Sequence, residues 1–218
     1  MSTVKTNLIK TAFKVSIKSE LIYMIAPSFF ILVALTTLIS SFNPNLWFIP
    51  SIGTLLFFPI LMNALRCYEE KSEFKLPPVS LIINKSWRVF IVNCITLPMI
   101  LLGCILFIFP GLYLCKNYIY TGLISERERI GPLESMRKSK LLSKQNGWKL
   151  LFFTLVFVFI LMIPYIIISP DVFNPDTFAS PSLFQIIVEL AFVWFGNVVL
   201  NSLVFYGYKE AINESSNS

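Results

Sequence analysis

The 218-residue chain contains no histidine. Every mechanism that needs an imidazole as base, relay or ligand is thereby closed, including the Ser/His/Asp and Cys/His arrangements and the usual zinc sites. Charge is also scarce, at 14% of residues against roughly 25% in an ordinary soluble domain. The four cysteines, Cys67, Cys94, Cys104 and Cys115, show no CxxC spacing and lie in or beside apolar runs, where a free thiol packs as a small hydrophobe. Neither metal nor cofactor is expected, and no catalytic set is present. What the chain does have is 56% hydrophobic residues in blocks longer than any buried core helix needs. An all-α integral membrane protein is the fold class this implies.

Between Leu21 and Leu65 lie 45 consecutive residues without a charge, about twice the ~20 that one membrane-crossing helix requires. The block must fold back, and Phe42-Asn43-Pro44-Asn45 is its turn. Spans are therefore predicted at Leu21–Ser41 and Leu46–Leu65. A second block, Val89–Ser125, carries one charge, Lys116, and breaks at Phe109-Pro110-Gly111, giving a third span at Val89–Phe109 and a short fourth at Leu112–Ser125. Leu150–Ser169 and Leu183–Val204 complete a set of six.

Direction comes from the cations, which accumulate in cytoplasmic loops. Of the 18 Lys and Arg, four precede Leu21, five lie in Arg66–Arg88 and seven in Arg127–Lys149, while the connections around Pro44, Gly111 and from Pro170 to Ser182 have none. Three hairpins with both termini cytoplasmic satisfy that asymmetry. The expected organisation is an amphipathic interfacial helix over 1–20, a membrane domain over 21–208 and a disordered cytoplasmic tail over 209–218. In the first segment Lys10, Lys14 and Lys18 recur every four residues, opposite Leu8, Ile9, Ala12, Phe13 and Ile17.

Charges inside a bilayer cost roughly 2.5–3.5 kcal/mol each on insertion scales, so Lys116 and Glu189 are the first candidate functional residues. The predicted topology sets them at similar depth, either as an ion pair or each reaching separately toward headgroups. Asn117 lies beside Lys116 on span four, while Asn197 and Asn201 follow Glu189 at multiples of four on span six. These five residues form a candidate intramembrane polar site, or alternatively a set of interhelical hydrogen bonds. In the loop after span four, Gly131-Pro132 with Glu134 marks a helix start. Leu133, Met136 and Leu141 are expected on one side of that helix. Arg137, Lys138, Lys140 and Lys144 are expected on the other, as ligands for anionic lipid headgroups. Nucleic acid is not expected to be a partner, because no recognition motif accompanies the charge and lipid is the nearer anion.

Three stretches together, Phe109–Lys116, Gly131–Ser139 and Asn146–Leu150, resemble the YciC-like family of bacterial inner-membrane proteins and the membrane domain preceding some glycerophosphodiester phosphodiesterases. In that pattern a Pro-Gly turn opens a helix bearing a cation, Gly-Pro-x-Glu opens an interfacial helix, and a tryptophan opens the next span. The resemblance covers about Phe109 to Phe153 and assigns Lys116 to the cation and Trp148 to the aromatic. It implies a six-span protein of the bacterial inner membrane and leaves its biochemical task open. A non-enzymatic role exerted through lipids or a membrane protein partner is the expectation, with a small transporter or permease component as the alternative.

Overall fold

The computed structural model describes residues 49–168 and 183–216, with isolated positions 11, 14–16, 18 and 26. The predicted first span and its Asn-Pro turn lie outside the described residues. Six helices are described: α1 Ile49–Glu70, α2 Val79–Leu106, α3 Ile108–Tyr118, α4 Thr121–Glu128, α5 Pro132–Ile168 and α6 Leu183–Ser216. Among the described residues there is no strand.

Helix α2 is long and apolar enough to cross a membrane, and only 22% of its most apolar stretch is covered by the rest of the protein. Its 28 residues rise about 42 Å, against a hydrocarbon thickness of about 30 Å. It begins ten residues before the predicted span, directly after Pro77-Pro78, so Lys85 to Arg88 are helical as well. The chain reverses at Phe107, which is extended (φ −160°, ψ 141°), and not at Phe109-Pro110-Gly111 as the sequence suggested. Pro110 instead falls in the first turn of α3, where its missing N–H leaves no bond unmade. Gly111 then lies against Gly103 and Cys104 of α2, an approach that excludes any side chain.

The predicted fourth span is two helices, α3 and α4, interrupted at Ile119-Tyr120. As expected, a helix starts at Pro132; Ser135 donates both its N–H and its hydroxyl to the Gly131 carbonyl. That helix continues into the predicted fifth span, with a 93° bend between its Pro132–Lys144 and Asn146–Leu161 limbs. Helix α6 runs on to Ser216, so residues 209–216 are helical and Ala211 is buried, where a disordered tail was expected.

The core gathers Phe57, Leu61, Met62 and Leu65 of α1, Leu123 and Ile124 of α4, Leu150 of α5, and Val198, Leu203 and Tyr208 of α6. It lies toward one end of the bundle. At the other end Leu101, Leu102, Ile105, Leu106, Phe107 and Phe109 are exposed. Within the N-terminal segment, Lys14 is exposed while Val15 joins the core and Ser16 is buried.

Candidate functional site

Four carboxylates bind the core end together. Glu126, in the last turn of α4, is buried and accepts from Arg66 of α1 and Lys85 of α2. Glu128 accepts from Lys138 Nζ of α5 at 2.6 Å and from the Tyr208 hydroxyl of α6 at 2.7 Å. Glu69 pairs with Lys209, joining α1 to α6, and Asn146 Nδ2 donates to Glu214 at 3.0 Å, joining α5 to α6. Burial pulls the Glu128 carboxyl upward. The bonds from Lys138 and Tyr208, with the charges of Lys138 and Arg127, outweigh it and hold the group below its ordinary value. Burial and the bond to Glu128 push the Tyr208 phenol well above its ordinary value.

The break between α3 and α4 frees the carbonyl of Asn117 and the N–H of Tyr120. Ser139 of α5 satisfies both: its hydroxyl donates to Asn117 O at 2.8 Å and accepts from Tyr120 N at 3.2 Å. Ser135, Ser139, Ser143 and Gly147 recur every fourth residue, all buried, so small side chains let α3 approach the α5 backbone closely. This corrects the expected faces of the first α5 limb. Leu133 and Leu141 are exposed alongside Arg137, Lys140 and Lys144, while Met136 is buried. Lys138 differs from its neighbours in turning toward Glu128.

The five candidate polar residues separate. Lys116 is buried, with its Nζ 5.4 Å from the ring of Tyr113 and 5.8 Å from that of Trp148, and it forms no ion pair among the described residues. Such cation–π contacts are worth about 0.5–2 kcal/mol each. Asn117 is buried beside it. Glu189 belongs to α6, but its side chain lies outside the described residues, as does the Lys116–Glu189 pairing. Asn197 and Asn201 face elsewhere, into a cavity of about 430 Å³ that Lys116 and Asn117 do not line.

That cavity lies between α1, α2, α6 and the α3–α4 junction, and its polar wall is Asn93, Thr96, Tyr118, Thr121, Asn197 and Asn201. Among the described residues no charged side chain lines it. Thr96 donates to Val92 O and Asn201 Nδ2 to Asn197 O, but the buried Thr121 hydroxyl has no partner among the described residues. The rest of the wall is apolar, with Phe57, Phe58, Val89, Leu123 and Val204, so a space of about fourteen water volumes at ~30 Å³ each suits a small uncharged guest with both apolar and hydrogen-bonding parts. Asn93 and Thr121 were missed from sequence, although Asn93, Asn197 and Asn201 share a recognisable signal as amides inside apolar runs.

Among the described residues no cluster of His, Cys, Asp or Glu could hold a metal ion. No family model, curated protein or solved structure matches the chain.

Proposed function

We propose that this chain is a six-span protein of the bacterial inner membrane, with both termini cytoplasmic, that works without catalysis through anionic lipid headgroups or a membrane protein partner. The observation carrying this reading is the exposed face of the Pro132–Lys144 limb. Arg137, Lys140 and Lys144 share that face with Leu133 and Leu141. A helix that shows cations and large apolar groups to the same side suits the boundary between headgroups and acyl chains. The end of the bundle rich in ion pairs fits the same side of the membrane, and the exposed apolar end of α2 fits the hydrocarbon. The likeness of 109–153 to the YciC-like pattern adds the bacterial setting.

The test is lipid retention by the full chain in nanodiscs containing neutral and anionic lipid. At ~1 kcal/mol per juxtamembrane cation, an R137Q/K140Q/K144Q variant should lose about two orders of magnitude of preference for anionic lipid. Since all three side chains are exposed, the variant should fold normally. An unchanged lipid preference would overturn the proposal.

The cavity favours a second reading, passage of a small neutral solute, because its wall mixes apolar side chains with uncharged polar ones and includes a hydroxyl with no partner among the described residues. Glycerol entry into proteoliposomes, abolished by N197L/N201L, would support it; no flux above empty liposomes would end it.

A further inference from the structure

Away from the exposed α5 face, three cationic residues line a second, smaller hollow. It has a volume of about 200 Å³ and is lined by Leu81, Asn84, Lys85, Arg88 and Arg129. The four α2 residues fall at i, i+3, i+4 and i+7, one side of that helix, and Arg129 closes the hollow from the end of α4. Among the described residues no carboxylate lines it. Lys85 also touches Glu126, but that single negative charge is shared with Arg66. The side chains of Arg88 and Arg129 form no ion pair or hydrogen bond among the described residues.

The backbone at Arg129 adds an independent observation. Its φ of 56° is left-handed, as is the 51° of Lys71 directly after α1, a conformation that helix ends usually give to glycine. The sequence has a glycine two positions later, at Gly131, yet an arginine occupies the strained position. A side chain with a β-carbon persists there only when the surroundings hold it, and such residues gather at binding sites. One turn from Asn84, exposed Trp87 stacks on Phe90 at 5.5 Å, as aromatic side chains do at headgroup level.

We propose that this hollow binds a phosphate monoester. Two guanidinium forks and an ammonium match a tetrahedral group carrying nearly two negative charges, whereas a phosphodiester offers one charge and fewer free oxygens. The space equals about six or seven water volumes, enough for one phosphate with part of its shell. A lipid with a terminal phosphate and a soluble phosphate share this chemistry. The lipid arm rests on the membrane reading above; the soluble arm does not.

The experiment uses the full chain in nanodiscs of neutral lipid doped with phosphatidic acid or, separately, phosphatidylglycerol. Retained lipid is measured by native mass spectrometry. A parallel arm adds inorganic phosphate to undoped nanodiscs and follows thermal stability. Retention of phosphatidic acid should exceed that of phosphatidylglycerol by about tenfold, and R88Q and R129G should each bring the two toward parity. R129G places glycine at the left-handed position, so it should unfold no earlier than the natural chain while losing the preference, which separates site from fold. The R137Q/K140Q/K144Q variant should lower retention of both lipids together and leave their ratio intact. Stabilisation by inorganic phosphate with no anionic lipid retained would remove the membrane reading and keep the site. Equal retention of the two lipids with no effect of phosphate would overturn the site, as would an R129G protein that keeps its preference.

Discussion

Substituting Glu126 by Gln tests how far the ion cluster holds the bundle together. The Glu126 side chain is fully covered, while Arg66 and Lys85 keep 25% and 16% of their side-chain surface. Breaking a buried pair costs about 3–5 kcal/mol, because the surviving charge is left unmatched in a poorly solvated place. Here both survivors retain a path to water, so the expected loss sits at the low end, about 3 kcal/mol. At about 2–4 °C per kcal/mol for a chain of this size, the unfolding midpoint of E126Q should fall by about 6–12 °C. Circular dichroism of the detergent-solubilised protein reads this directly. A companion R66M/K85M/E126L variant should recover most of the loss, since apolar side chains of similar volume replace buried ionic groups without leaving charge behind. An unchanged midpoint for E126Q would refute the argument. So would a triple variant less stable than E126Q, because the loss would then not arise from unmatched charge.

Gly111→Ala should splay the α2–α3 hairpin, since its new β-carbon would lie 2.1 Å from Cys104 Sγ and 2.8 Å from Cys104 N. A loss of about 1–3 kcal/mol or more is expected, read as faster alkylation of Cys104, while Gly131→Ala meets nothing within 4 Å and should be neutral. Ser139→Ala should cost about 1 kcal/mol in thermal unfolding through two lost bonds, and Ser139→Leu considerably more by forcing α3 off α5. Glu128 binds a proton less readily folded than unfolded, so it stabilises the fold above its ordinary value of 4.5, and that contribution disappears as pH falls through the lower folded value. Glu128→Gln should therefore flatten the acid limb of a stability-against-pH profile; an unaltered limb would show that the carboxylate contributes nothing there.

The helical class and the start at Pro132 were legible because both follow from local rules: long uncharged runs, and a proline whose absent N–H suits a first turn. The reversal point was not. A proline-glycine pair reads as a turn in isolation, but Pro110 fits equally well inside the opening turn of α3, and the Gly103–Gly111 contact moves the reversal to Phe107. The buried cluster at Glu126 carried no local signal, because its partners are 60 and 41 positions away in the chain. Lys116 invited pairing with a carboxylate, whereas its described neighbours are the rings of Tyr113 and Trp148. In the first α5 limb the lysines and leucines obscured a stripe of serines whose period of four was visible all along. Small polar residues contribute little to any hydropathy pattern, yet they decide which face of that helix turns inward.

Helix α3 has only 11 residues, a rise of about 16 Å, roughly half of what a hydrocarbon layer demands. Its ragged lower end is completed by a hydroxyl that lies 22 positions further along the chain. A ribosome therefore delivers the incomplete helix before the residue that finishes it, and on the membrane reading proposed above the insertion machinery must shelter it for the interval. On that reading biogenesis is tied to the order of synthesis: a chain released early, short of Ser139, would carry an unsealed backbone into lipid and present quality-control proteases with a ready handle.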